Sequence, residues 1–177
     1  LYFLNKFKPE TTINLIDWAD IGVPKYKCKD WALTSKEKME CHSDSKINSI
    51  KDKIRDSYNS NSYLKDYRNR QILPFEKMIS DKIINLIPQS ASILDLGCVN
   101  GYPYDDYFKI KGFKNLIGVD FSEKNIYEAR INNPCFQYKC EDIEKYNFGK
   151  NHNLIMALFS IIHLPRENHN LVFKKIY

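Results

Sequence analysis

Ile93-Leu94-Asp95-Leu96-Gly97-Cys98-Val99-Asn100-Gly101 is followed, nineteen residues after Gly101, by Asp120 at the end of Ile117-Gly118-Val119-Asp120. The two stretches read as a buried strand, a glycine turn, a helix, a second buried strand and a terminal carboxylate. A chain that cradles an adenosine cofactor needs this order. Glycines let the backbone approach the ligand, the helix N-terminus offers N–H groups, and the carboxylate takes the ribose hydroxyls. Glycine spacing separates the cofactors: a dinucleotide turn is G-x-G-x-x-G, whereas Asp95, Gly97, Val99 and Gly101 advance in two-residue steps.

Outward from this stretch, apolar spacing predicts alternating helices and strands. A helix is expected over residues 74–87: Pro74 suits the first helical position, Phe75, Met78, Ile79, Ile83 and Leu86 recur at helical spacing, and Pro88 ends it. Strands over 92–96 and 116–119 flank a helix over 103–111 that stops at Gly112, a left-handed cap. Ser122 caps a helix running to Asn132, with Glu123 at its positive end. Residues 135–139 make a third strand, 153–159 a nearly all-apolar fourth, and a last helix starts near Pro165. The class is α/β, a parallel sheet wound through right-handed crossovers with its strands in the order 3-2-1-4. Ligand is expected at the carboxyl ends, beside the switch between strands 1 and 4.

The segment from about Ile72 to Tyr177 resembles a class I S-adenosylmethionine-dependent methyltransferase of the bacterial small-molecule type, whose first motif is LDLGCGxG. Gly118-Val119-Asp120-Phe121-Ser122 is similar to the second motif, GVDxS, with Ile126, Ala129 and Arg130 where the following helix carries I-x-x-A-R. Glu141-Asp142-Ile143 resembles the acidic step after the third strand. His152-Asn153-Leu154-Ile155 and the run from Ser160 through His163 to Glu167 resemble the fourth strand and its exit. The resemblance implies a Rossmann-like core, S-adenosyl-L-methionine as cofactor and a small-molecule methyl acceptor. It also assigns roles. Asp95, Gly97 and Cys98 form the cofactor turn, and Gly101 starts the helix that faces the methionine carboxylate. Asp120 takes the ribose hydroxyls and Phe121 lies against adenine. Asp142 accepts from the adenine amino group with the Ile143 N–H beside it, and Leu158 of the fourth strand completes the cofactor set. His163 is the candidate base that strips an O–H or N–H acceptor of its proton. Tyr102, Tyr104, Asp105 and Asp106 are candidates for the substrate mouth, and Tyr58, Tyr63 and Tyr67 for an N-terminal lid.

Val99 departs from the motif, which has glycine there. Valine is stiff and unsuited to φ > 0, so a left-handed backbone at this position costs about 1–3 kcal/mol.

Residues 1–62 are expected to be an irregular N-terminal region or linker, and 63–177 the core. Ser, Asn, Asp and Lys crowd residues 41–62, and Ile13, Leu15 and Trp18 mark a short strand leading into a loop at Gly22 and Pro24. Residues 12–33 are also similar, over a short span, to the metal-binding segment of aminoglycoside phosphotransferases, with Asp17 at the magnesium position. That family's catalytic H-G-D loop is missing, and no metal site is expected.

Net charge is +5, from 27 basic and 22 acidic side chains. The lysines are spread along the chain without a basic stripe, which argues against a nucleic-acid groove. No apolar run approaches eighteen residues, so no membrane span is expected. Five cysteines without a C-x-x-C pair suit reduced thiols in the cytoplasm. The family's sheet has seven strands and four are read here, so the natural polypeptide is expected to be longer, as the Leu1 start also suggests, or a second chain to cover the apolar edge of the fourth strand. A catalytically idle cofactor-binding or interaction module is the alternative to an enzyme.

Overall fold

The computed structural model describes residues 2–5, 44–59, 70–149 and 152–176, with backbone alone for 2–5 and 44–50. Five strands, β1 (Tyr2–Asn5), β2 (Ser92–Leu96), β3 (Asn115–Asp120), β4 (Gln137–Cys140) and β5 (Leu154–Ala157), form one sheet in the order β1-β5-β2-β3-β4. β5, β2, β3 and β4 run parallel, the order expected from the alternation of strands and helices. Among the described residues five helices accompany them: α1 (Asp44–Asn59), α2 (Pro74–Ile84), α3 (Tyr104–Ile110), α4 (Glu123–Asn132) and α5 (His169–Ile176).

Alternation along β2 distributes the core between two faces. Ile93 joins Ile79 and Ile83 of α2, Phe108 of α3 and Ile126 of α4 on one side. Leu94 and Leu96 join Ile143, Tyr146 and Phe148 with Val172 and Ile176 of α5 on the other. Both faces are covered, which is why β2 and β5 read as continuous apolar runs rather than as alternating ones.

Several boundaries differ from the sequence reading. α2 ends at Ile84, because the Asn85 N–H closes on Asp81 and the Leu86 N–H tightens onto Ile83. The third strand starts two residues late, after a turn in which the Phe136 N–H bonds the Asn133 carbonyl. β5 stops at Ala157, and Phe159 turns the chain with a φ of 60°. Two 3-10 turns, Ile161–His163 and Arg166–Asn168, precede α5, so the last helix begins at His169 rather than near Pro165.

The N-terminal expectation changes more. Within residues 1–62, read as irregular, Asp44–Asn59 is a sixteen-residue helix and Tyr2–Asn5 is a strand. The β5 edge expected to need a second chain is taken from within: Tyr2 pairs with Ala157 and Asn5 with Leu154, antiparallel. The segment similar to phosphotransferases, Tyr63 and Tyr67 lie outside the described residues. No described helix is long and apolar enough to cross a membrane.

Candidate active site

A cleft opens at the carboxyl ends of the parallel strands. Its wall is built from five segments: Gly97 and Val99 after β2, Asp120 and Phe121 at the end of β3, Asp142 and Ile143 after β4, Leu158 to Leu164 after β5, and Lys51, Ile54 and Tyr58 of α1. A smaller pocket of about 310 Å³ adjoins it, sharing Gly97, Val99, Leu158 and Phe159 and adding Asp95, Cys98 and Gly101. The ten site residues read from the sequence thus divide between two connected hollows.

The turn after β2 is held tightly. The Gly97 and Cys98 N–H groups both donate to the Val119 carbonyl, at 2.7 and 3.1 Å. A Cβ on Gly97 would stand 2.3 Å from that of Ser160, and Gly97 has a φ of 83°, so no other residue fits. Val99 does adopt the left-handed backbone, with φ 51°. Its N–H donates to Asp120 Oδ2 at 3.1 Å, tying the strained turn to the end of β3. Gly101 does not start the helix. Its N–H bonds the Cys98 carbonyl at 2.9 Å, and α3 begins three residues later at Tyr104.

Asp120 is buried, with Oδ1 accepting from the Ser122 N–H at 2.9 Å and Asn125 Nδ2 at 3.2 Å. Burial raises its pKa, and the three N–H donors oppose the rise. An ionised carboxylate has about four lone-pair sites, so acceptor capacity remains for a ligand hydroxyl. Asp142 is partly engaged already: Oδ1 takes the Glu144 N–H at 3.0 Å and Oδ2 takes Lys51 Nζ at 2.9 Å, while the same lysine pairs with Glu144.

His163 stands at the exposed rim. Its Nε2 lies 2.8 Å from the Tyr58 hydroxyl, and the two rings meet edge to face, as Tyr58 also does with Phe121. Partial burial lowers its pKa, which keeps the ring neutral near pH 7. Of the residues expected at a substrate mouth, Tyr104 and Asp105 are instead buried and Asp106 pairs with Lys109. Lys51, Ile54 and Phe159 were not foreseen. For the first two the signal was present: Ile47, Ile50, Ile54 and Tyr58 recur at helical spacing.

Fit to the expected cofactor rests on donor chemistry. Asp95 Oδ1 is buried without a hydrogen-bond donor among the described residues and lies at the smaller pocket, a place for a cationic amino group. Asp120 lines the larger cleft, where ribose hydroxyls belong.

A methyltransferase-domain family model matches residues 93–177. No curated protein matches the chain. Among solved structures, the magnesium protoporphyrin IX methyltransferase of Synechocystis PCC 6803 with bound S-adenosylmethionine aligns at 19% identity and a TM-score of 0.55, over 72% of this chain and 70% of that one. A TehB-like S-adenosylmethionine-dependent methyltransferase from Corynebacterium glutamicum aligns at 18% identity and TM-score 0.54, over 69% and 64%. CalS10, an amino pentose methyltransferase from Micromonospora echinaspora, aligns at 17% and 0.52, over 65% of this chain and 49% of its own. At these identities the likeness is one of fold. Together with the family match and the LDLGCxxG and GVDFS motifs, it makes residues 93–177 similar to the Rossmann-like methyltransferase domains that use S-adenosyl-L-methionine.

Proposed function

We propose that the chain transfers a methyl group from S-adenosylmethionine to an oxygen or nitrogen of a small molecule. One observation carries the reading: the glycine turn, Asp120, Asp142 and His163, from four separate segments, border a single cleft at the strand ends. When bound, the sulfonium supplies an electrophilic methyl group, and the protein's work is alignment, desolvation and removal of one proton. Asp120 holds the ribose hydroxyls and Phe121 and Ile143 the adenine side. His163, neutral near pH 7, takes the acceptor's proton. Nε2 is shared with Tyr58, so the proton is taken at Nε2 where the tyrosine hydroxyl donates to it and is displaced or relays it, and at Nδ1 in the tautomer whose Nε2–H donates to the tyrosine. The spread of lysines favours a small acceptor over a nucleic acid, and the free thiols of Cys98, Cys135 and Cys140 suit the cytoplasm.

A catalytically idle binding module is the second reading, favoured by two observations. Val99 strains the cofactor turn, and Lys51 occupies Asp142. Calorimetric titration with S-adenosylmethionine and S-adenosylhomocysteine tests the cofactor claim common to both. The wild type is expected to bind, with thermal stabilisation following RT ln(1 + [L]/Kd), about 2.7 kcal/mol at a hundredfold excess. Asp120→Ala should weaken binding more than tenfold. Absence of any shift at millimolar ligand overturns the cofactor reading, and unchanged binding by the variant removes Asp120 from the site. Loss of methyl transfer to an accepted small molecule in His163→Ala, with cofactor binding retained, separates the enzyme from the idle module.

A further inference from the structure

Two buried carboxyl groups, Asp95 and Asp105, line the smaller pocket. Alternation along β2 puts Asp95 on the same face as Ile93, toward α3, whose inner side carries Tyr104, Asp105 and Phe108. Asp95 is 3% exposed and Asp105 1%, and both line the pocket. The Oδ1 atom of each accepts from no N–H or O–H donor among the described residues, yet the two groups lie within hydrogen-bonding reach of one another. Two acceptors at that separation make a bond only if one of them holds a proton.

The surroundings say which. Tyr138 lies against Gly118, where a Cβ would strike its ring at 2.6 Å, and its hydroxyl donates to Asp105 Oδ2 at 2.9 Å. That bond fixes the Asp105 carboxyl through Oδ2 and leaves its buried Oδ1 without a donor among the described residues. The titratable neighbours are Cys98 in the turn, Tyr104 and Asp106 on α3, Asp120 at the end of β3 and Tyr138 on β4, and none of these five brings positive charge. Burial, with Asp95 beside it, holds the Asp105 carboxyl well above the usual carboxylate range. Burial pushes Asp95 up to about 7, Asp120 adding to the rise and the bond from Asp105 opposing it.

We propose that Asp105 is a positioning residue of the cofactor subsite: a neutral acid, anchored by Tyr138, that donates to Asp95 and keeps that carboxylate as the single charge facing the small pocket, where it takes a ligand's primary ammonium group. The inference rests on the cofactor reading above, since the amino-acid end of S-adenosylmethionine carries such a group. Below about pH 7 Asp95 holds a proton that a bound ammonium expels to solvent. Affinity therefore rises about tenfold per pH unit up to that point and falls again where the ligand's own ammonium loses its proton, at about pH 8 and above.

The test is calorimetric titration of the full chain between pH 6 and 8.5, in two buffers of different ionisation heat, with three probes. S-adenosylmethionine and S-adenosylhomocysteine share the ammonium and should release about one proton per ligand at pH 6. Methylthioadenosine lacks the amino-acid end and should show neither the slope nor the release. Asp105→Asn keeps a donor toward Asp95 and should bind within about threefold of wild type at pH 7.5. Asp105→Leu has none; it should bind at least tenfold more weakly, with the break in the profile moved to higher pH. Carbon-13 NMR of the side-chain carboxyls of the ligand-free wild type should find Asp105 protonated at pH 7.5, a readout that needs no variant to fold. A flat affinity profile, equal binding by the Asn and Leu variants, or an ionised Asp105 overturns the proposal. Absence of binding by wild type at every pH overturns the cofactor reading, and the proposal with it.

Discussion

Val99 and Phe159 hold φ values of 51° and 60°, and both line the two hollows of the site. For a β-branched side chain this backbone costs about 1–3 kcal/mol and persists only where surrounding bonds fix it. At Val99 the fixing bond is its own N–H to Asp120, which a glycine would keep. Val99→Gly should therefore relieve the strain while adding freedom to the unfolded chain, for a net gain of about 1 kcal/mol. Cofactor should bind severalfold more tightly. Urea unfolding and calorimetry check both, and a destabilised variant with unchanged affinity would mean that the valine side chain is better accommodated than its backbone indicates.

α1 meets the rest of the site largely through polar groups. Lys51 reaches Asp142 and Glu144, Tyr58 reaches His163, and Asn59 accepts from the Ser122 hydroxyl at 2.6 Å. An element held this way opens at lower free energy than the core strands do. Lys51→Ala should raise amide hydrogen exchange across residues 44–59 about fivefold or more while leaving β2 and β3 protected; equal exchange in wild type and variant would show that other contacts hold the helix. α1 is also where the sequence was hardest to read. α2, β2, β3 and α4 were legible because their periodicity is reinforced by Pro74, the glycine turn and Ser122, whose hydroxyl does accept the Asn125 N–H at 3.1 Å. In α1 the stripe of Ile47, Ile50, Ile54 and Tyr58 is set among Ser, Asn, Asp and Lys, residues that equally signal a loop. β1 is four residues long and its partner lies far along the chain, so no local pattern marks it. The Asp105 acid was visible, but its burial was not. Its seal comes from Tyr138, thirty-three residues away, and from the turn of α3 toward the sheet.

Across the whole molecule, Asp95, Asp105 and Asp120 all have raised pKa values, with burial the largest cause. The folded state keeps protons that the unfolded chain releases above about pH 4, so these groups lower stability as pH rises. His163 and His152, depressed mainly by burial, act the other way as pH climbs through about 6.5. Above the histidine range, the raised Asp105 carboxyl still sets the trend. Unliganded protein should be less stable at pH 8 than at pH 7, and Asp105→Asn should flatten the decline. Urea midpoints at the two pH values decide it; stability that rises over the interval would place Asp105 in the ordinary carboxylate range.

The pairing of Tyr2 with Ala157 also sets an order of events during synthesis. Residues 2–5 are made before the other described strands, yet the strand they pair with follows only about 150 residues later, and closing so long a loop is slow. β2, β3 and β4 can meet earlier, each joined to the next by a short crossover. β1 docks only once β5 has been made, so among the described strands it is the one that waits longest for its neighbour.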